Sequence, residues 1–366
     1  MSPMRVPAAV PARAQRVLDE AGLRADAATL IGGRAALLGR QPGDRISAGG
    51  ATRLLRGPDG WCALTLSRPD DLQAVPALLE TDEVAADPWD AIARRAADVG
   101  VIAVAEQARL LGLPVGVLGE TGPAPIAVRR SGSRATPGWC EPLVVDLSTM
   151  WAGPLCGRLL ADTGATVVKV ESRARPDGPR RGPREFFDWM NAGKLSYEAD
   201  FTDPAGLRRL LAVADVVIES SRPAALARHG LSPADIPARP GRVWIRITGH
   251  GTDGARADWV AFGDDAAVSG GLVTGSVEDP QFCGDAIADP LTGIHAAAAV
   301  LAARNRGGGE LLEISMAAVA AEYAHRRQGD DILCAAPPLI RASARELGAD
   351  TEDVDRMVGD RSAAPC

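Results

Sequence analysis

The sequence predicts an α/β fold, a parallel sheet flanked by helices, together with a smaller α+β portion. Three observations predict it. From Pro142 onward, short apolar segments alternate with helical ones, the pattern of strands that reach a parallel neighbour through a helix. The strand segments Leu143–Leu147 (LVVDL), Ala165–Val170 (ATVVKV), Val216–Ile218 and Val243–Ile247 are mostly apolar throughout and not only at alternate positions, as expected of strands covered on both faces. The chain has 366 residues, 46% of them hydrophobic and 24% charged. That exceeds the usual size of a single core, and the apolar content is that of an ordinary globular protein, so a second portion is expected.

In chain order, Val10–Ala21 reads as a short helix. Thr52–Leu55 and Trp61–Leu66 read as strands joined by Arg56-Gly57-Pro58-Asp59-Gly60, a turn composition that makes them a hairpin. Asp87-Pro88 is a helix start, with Asp capping and Pro in the first turn, and apolar positions recur at helical spacing from there through Leu111. Gly112–Gly119 (GLPVGVLG) reads as a short buried strand and Arg129–Gly138 as a polar linker. After the strand at Leu143, Pro154–Thr163 is a helix. Asp203-Pro204 starts another through Val213, Pro223–His229 is a third, Ile294–Arg304 a later apolar helix and Leu311–Ile314 a strand. The tail, Ala335–Val358, reads as an extended piece and two short helices. The strand and helix alternation is Rossmann-like. It divides the chain into an N-terminal block (1–140), a Rossmann-like core (141–330) and a C-terminal tail packing on that core (331–366).

Composition narrows the function. A net charge of −7 gives no electrostatic basis for nucleic-acid binding. The longest apolar runs, such as Ala296–Ala303, are far shorter than the ~20 residues that span a bilayer, and the N-terminal MSPMRVPAAVPARAQRV lacks the continuous apolar core of a signal peptide. No nucleic acid, no membrane and a cytoplasmic location are therefore expected. Six cysteines (Cys62, Cys140, Cys156, Cys283, Cys334, Cys366) and four histidines (His229, His250, His295, His325) share no metal-ligand spacing. Of 40 lysines and arginines only Lys169 and Lys194 are lysine, a bias that fits a GC-rich genome.

Motifs for nucleotide cofactors are missing. After the strand ending at Leu147 the chain continues Ser148-Thr149-Met150-Trp151-Ala152-Gly153-Pro154, without the glycine spacing that lets backbone N–H groups approach a pyrophosphate. No GxxxxGK[ST] occurs. Gly249-His250-Gly251-Thr252-Asp253-Gly254 follows a late strand and reads first as a generic turn.

Several separated motifs share a different source. PLVVDLSTMWAGPLCGRLLADTGATVVKVE at Pro142–Glu171 resembles the N-terminal signature of the family III CoA-transferases (the CaiB/BaiF family), relatives of formyl-CoA transferase, carnitine CoA-transferase and α-methylacyl-CoA racemase. The resemblance continues in order through Asn191-Ala192-Gly193-Lys194, Ala214–Leu231 (ADVVIESSRPAALARHGL), Arg246–Gly254 (RITGHGTDG), Gly263–Leu272 (GDDAAVSGGL) and Ile287–Ala303 (IADPLTGIHAAAAVLAA). It covers about half of the chain. The rest is similar to the family in a different order. Asp59-Gly60-Trp61 with its flanking strands, and Ala91–Gly119, resemble segments that lie downstream of this core in the family, whereas Ala336–Val358 resembles the family's extreme C-terminus. A counterpart of the glycine-rich loop that several transferases close over their active site is not apparent.

The resemblance implies a family III CoA-transferase fold, no metal or permanently bound cofactor, CoA as a substrate together with an acyl-CoA and a carboxylic acid, and an interlocked homodimer. It also implies site residues. Asp289-Pro290 alone reads as a helix cap and its following proline. The family match makes Asp289 the catalytic nucleophile, attacking a thioester to give an anhydride and then an aspartyl-CoA thioester. A helix N-terminus would favour the ionised carboxylate. Met150, Arg173, Lys194, Ser220, Ser221 and Arg228 match positions lining the adenine and phosphate end of CoA. Arg173 and Arg228 also read as surface or helix-end charges. Trp151, Asp264 and Asp265 fall at the substrate pocket; Trp151 reads equally as core and the Asp pair as a solvated turn. Gly270-Gly271 reads either as a place of close backbone approach to an oxyanion or as a plain turn. Lys169 and Glu171 read as a structural salt bridge. The racemase branch requires a histidine partner for its aspartate, and none of the four histidines falls in a matching motif. A racemase or isomerase using another base, and a non-catalytic CoA-binding subunit, are the alternative readings.

Overall fold

The computed structural model describes residues 2–41, 43–136, 141–324 and 332–363. His325, Cys140 and Cys366, and the end of the expected linker, lie outside them.

The chain begins with β1 (Ser2–Arg5), α1 (Ala9–Glu20) and α2 (Ala27–Leu38). The sequence gives no helix over 27–38, because AATLIGGRAALL is apolar on nearly every side and shows no amphipathic period. Its ends are nonetheless well specified. The Asp26 carboxylate accepts from the Thr29 N–H at 2.7 Å, and Gly39, with φ at 62°, takes the left-handed conformation that closes a helix.

Next come β2 (Thr52–Gly57) and β3 (Gly60–Thr65), an antiparallel pair with Gly57 opposite Gly60. This is the expected hairpin, with a Pro58-Asp59 turn. After α3 (Pro69–Gln73) and α4 (Val75–Leu79), the single helix expected through Leu111 is two: α5 (Trp89–Val99) and α6 (Val101–Leu110). The break is Gly100, with φ at 91°, where a Cβ would come within 2.6 Å of the Asp59 carboxylate. Asp59 caps α6, accepting from the N–H groups of Val101 at 2.7 Å and Ile102 at 3.0 Å. β4 (Val115–Val117) pairs with β3. These elements share a core of their own around Leu64, Ile92 and Val104.

The remaining elements are β5 (Ala127–Arg130), β6 (Leu143–Asp146), α7 (Ala152–Ala161), β7 (Thr166–Glu171), α8 (Arg184–Asn191), β8 (Leu195–Glu198), α9 (Ala205–Val213), β9 (Val216–Glu219), α10 (Pro223–Ala227), β10 (Val243–Thr248), α11 (Gly263–Ser269), β11 (Val273–Gly275), β12 (Pro280–Phe282), α12 (Ala288–Asn305), β13 (Glu310–Ser315), α13 (Met316–Ala324), β14 (Ile332–Ala335) and α14 (Thr351–Ala363). The tail thus has one helix where two were expected. Seven strands form the main sheet in the order β5-β13-β10-β9-β6-β7-β8. All neighbours are parallel except β5, which runs antiparallel to β13. The α/β prediction therefore describes the molecule, with the β2-β3-β4 sheet as its smaller portion.

Both faces of the main sheet are buried. Val144, Val216, Ile218, Val243 and Ile245 point toward α7 and α12. Leu143, Val145, Val217 and Trp244 point into the opposite layer, shared with Leu207, Leu211 and Val354. Alternate side chains thus enter different cores, which is why these strands read as continuous apolar runs.

The block expected over 1–140 is not one unit. Met4, Val10, Leu18, Leu30 and Ile31 lie in the same core as α7 and α12. β1 pairs with β14, and β5, which overlaps the start of the expected linker, completes an edge of the main sheet. Among the described residues of that block, a stretch from Leu55 to Val117 carries a core of its own, while Leu54, Trp61 and Ala63 pack with Val268, Val273 and Phe282.

Candidate active site

The sheet has one topological switch. From β6 the chain proceeds outward to β7 and β8, and then returns to place β9, β10 and β13 on the other side. In parallel sheets the crevice beyond the carboxyl ends of the strands flanking such a point is where ligands bind. Here those strands are β6 and β9, and the loops after them run over 147–151 and 220–222. The two loops touch: the Thr149 N–H donates to Ser220 Oγ at 3.2 Å. Met150, Ser220 and Ser221 all lie on these loops. Met150 has φ at 71°, a left-handed conformation unfavourable for a residue with a side chain. It is fixed by Asp177 Oδ1, which accepts the Met150 N–H at 2.8 Å.

Asp289 enters from α12. Its side chain is partly buried in the first turn of that helix. The N–H of Ala152, first residue of α7, faces its carboxylate and favours the charged form. Burial pushes the other way and dominates: the Asp289 carboxyl is raised to about 7, Arg34 opposing the shift and Asp264 and Asp285 adding to it. The helix N-terminus therefore does not keep this acid in the usual carboxylate range, contrary to the sequence expectation. No metal-type grouping of His, Cys, Asp and Glu occurs among the described residues.

A second strained residue sits just before α12. Ala286 has φ at 46°, and its N–H donates to Asp264 Oδ1 at 2.8 Å. Asp264 and Asp265 occupy the first turn of α11 and are both buried, so they do not form a solvated turn. Burial raises the Asp264 carboxyl to about 6 and that of Asp265 well above the usual range. Asp265 accepts from Thr65 Oγ1 at 2.7 Å and so ties α11 to β3. The close approach to Asp289 comes from Gly263, where a Cβ would overlap the Asp289 carboxylate and the Ala286 carbonyl. Gly270-Gly271 lies at the other end of α11, one residue beyond the helix, with Gly270 pressed on α13 at Ala317 and Ala320. It is a packing turn, and the oxyanion reading does not hold there.

Trp151 is fully buried. Its ring meets that of Phe186 edge-on at 5.4 Å, and the Arg34 guanidinium lies over it at 4.3 Å. Arg34 comes from α2, and sequence reasoning missed it. Its fork binds Asp285 through Nε at 2.8 Å and Nη2 at 2.6 Å, and Arg40 adds a contact to the same carboxylate at 2.8 Å. Burial opposes the charge of Asp285, but Arg34 and Arg40 hold its carboxyl below the usual range. A lone arginine inside an apolar twelve-residue stretch was the available signal.

The remaining expected CoA contacts divide. Arg173 and Arg228 are exposed. Arg173 pairs with Glu198 at 2.6 Å, and Arg228 ends α10. Lys194 is buried beneath the crevice, its Nζ donating to Asp146 Oδ2 at 2.9 Å, Pro154 O at 2.8 Å and Asn191 Oδ1 at 2.9 Å. All three N–H groups are used, so none is left for a phosphate. Lys169 does form a buried salt bridge, but with Asp177 at 3.0 Å; Glu171 is held by Arg180 at 2.6 Å. These pairs support the Met150 loop from below. His295 on α12 bonds Tyr323 Oη at 2.9 Å, and His250 packs against the Trp259 ring.

The profile of CoA-transferase family III matches residues 142–342. Over 227 residues the chain is 31% identical to a succinate–glutarate CoA-transferase of Agrobacterium fabrum, covering 55% of this chain and 56% of that one. Over 191 residues it is 34% identical to a succinyl-CoA–D-citramalate CoA-transferase of Chloroflexus aurantiacus, covering 47% and 48%. A solved structure of a hypothetical protein from Mycobacterium tuberculosis is 29% identical, with a TM-score of 0.47 over 53% of this chain and 58% of that one. The chain spans about half the length of these relatives. Among the described residues no helix is long and apolar enough to cross a membrane.

Proposed function

The chain belongs to CoA-transferase family III, and from that premise we propose that it moves CoA from an acyl-CoA to a carboxylic acid, with Asp289 as the nucleophile. The observation that carries this reading is the position of the Asp289 carboxylate. It faces Ala152, at the end of the loop whose Thr149 reaches Ser220. A thioester bound at the β6/β9 crevice would thus have its carbonyl beside an acid at the same loop.

In this reading an Asp289 oxygen attacks the thioester carbonyl, forming a C–O bond as the C–S bond breaks and CoA thiolate leaves. The thiolate attacks the aspartyl carbonyl of the anhydride, releasing the donor acid and leaving an aspartyl-CoA thioester. The acceptor carboxylate attacks that thioester and expels thiolate again. The thiolate then attacks the acceptor carbonyl, giving the new acyl-CoA and free Asp289. Anhydride and thioester are both activated, so each exchange is reversible. The core over 141–330 handles CoA, with Met150, Ser220 and Ser221 at the crevice and Arg173 and Arg228 available from its rim. Asp264 and Trp151 act by holding the Ala286 turn and the start of α7. The bond from the His295 ring nitrogen to Tyr323 supports transfer over a two-base racemisation that would use this histidine.

Incubation with a panel of acyl-CoA donors, followed by intact-mass measurement, tests the reading. A mass gain equal to an aspartyl-CoA thioester, mapped to Asp289, is expected; transfer without any such adduct would exclude it. The site also predicts that Gly263→Ala weakens the enzyme. The added methyl must displace the Asp289 carboxylate or the Ala286 turn, an overpacking that costs ~1–3 kcal/mol. A lower urea midpoint and at least tenfold slower transfer are expected.

A further inference from the structure

We propose that Arg34 is a positioning residue for Asp289, the fixed positive charge that α2 supplies to the nucleophile. The inference rests on the reading of Asp289 just given. It goes beyond it, because Arg34 lies outside the matched region 142–342.

Two segments meet at Asp289, and Arg34 grips both. One is the chain entering α12, held through Asp285, which accepts both arms of the guanidinium. The other is the start of α7, held through Trp151, whose ring lies 4.3 Å under the same guanidinium. Trp151 immediately precedes Ala152, whose N–H faces the Asp289 carboxylate. The α2 helix reaches this depth because Gly32 and Gly33 precede the arginine: a Cβ on either would come within 2.7 Å of Ala335 or 2.9 Å of the Trp189 ring.

The local charge count calls for more than a structural pair. Asp285 is fully buried and is met by two arginines, Arg34 and Arg40, which leaves one positive charge in excess. The acids facing that excess are Asp289 and Asp264. α7 contributes the Ala152 N–H, and α11 contributes the acid Asp264. Arg34 is the cation that favours the ionised form of Asp289 most strongly.

The test follows the pH dependence of aspartyl-CoA adduct formation at saturating acyl-CoA in the full chain. In the wild type, adduct formation should rise with pH through about 7, the value to which Asp289 is raised, since only the carboxylate attacks. Arg34→Met should move that limb upward by about one pH unit, giving a ~5-fold loss at pH 7 that narrows by pH 9. Arg34→Lys, which keeps the charge, should bring the limb back toward the wild type. Arg34→Met/Asp285→Asn removes the buried partner as well and guards against misfolding of the single variant; its limb should lie between the wild type and Arg34→Met, because Asp285 acts in the opposite sense. An equal loss at every pH, or an unmoved limb in folded protein, overturns the inference. Asp289→Asn separates the two claims: if it still forms adduct, the nucleophile reading falls and this inference with it. If it forms none while Arg34→Met leaves the limb in place, only this inference falls.

Discussion

Asp289→Asn is expected to abolish CoA transfer and, above pH 7, to leave a protein more stable than the wild type. The first half follows from nucleophilic catalysis. An amide has no charged oxygen to open a thioester, and removing the covalent nucleophile of an enzyme costs roughly 10^4-fold or more in rate. The second half follows from the environment of the acid. Burial raises its carboxyl from an ordinary 3.8 to about 7, with Asp264 and Asp285 reinforcing the shift against Arg34 and the Ala152 N–H. The folded state thus holds the proton more tightly than the unfolded chain. That preference stabilises the fold fully below the unfolded value and is lost as pH rises through the folded one. At pH 8 the wild type carries the cost of a charged acid in this site, and the amide does not. Urea unfolding should therefore show the variant ahead at pH 8 and the gap closing as pH falls toward 4. Adduct mass and transfer rate should be lost at every pH. A variant that is inactive and also destabilised at pH 8 would indicate that Asp289 serves the fold and not the chemistry.

The same opposition between burial and charge explains what could be seen in the sequence. The strands of the main sheet were legible because each is squeezed between two cores, Val144 facing one and Val145 the other, and continuous apolar runs are the direct record of that. The hairpin was legible because Pro58-Asp59 between two glycines leaves little else for the chain to do. Residues whose role depends on distant partners were not legible. Asp264 looked like a turn acid, yet it secures the strained Ala286 from 22 positions away. Gly100 looked like one more residue in a helical run, although the Asp59 carboxylate occupies the space its side chain would need. Arg34 and Asp285 are separated by 251 positions, so no local spacing could pair them. Asp289 itself was reached through resemblance, because its local sequence is that of an ordinary helix start.

Lys194→Met is expected to destabilise the fold by ~3–5 kcal/mol, the usual cost of breaking one side of a buried ion pair, while barely changing the KM for acyl-CoA in the protein that remains folded. The position matched a CoA contact, and a surface phosphate ligand would behave in the opposite way, with KM rising and stability unchanged. The geometry decides between them. Lys194 is 2% exposed and spends its three N–H groups on Asp146, Pro154 and Asn191. Burial lowers the affinity of Lys194 for its proton, and Asp146 only partly restores it. For Asp146, burial opposes the charge, but Lys194 and Lys169 together hold its carboxyl below the ordinary 3.8. Its contribution to stability is therefore present above that value and lost as pH falls through the depressed one. The other oxygen of Asp146 accepts from the Ser148 N–H at 3.0 Å and from its hydroxyl, so the lysine also steadies the loop that carries Met150. Lys194→Met/Asp146→Asn removes both charges and keeps an acceptor for Ser148; it should recover most of the lost stability, because the cost of the single variant is an uncompensated buried carboxylate. Unfolding in urea, with KM measured below the transition, reads both quantities. A single variant of wild-type stability with a tenfold higher KM would return Lys194 to the CoA site.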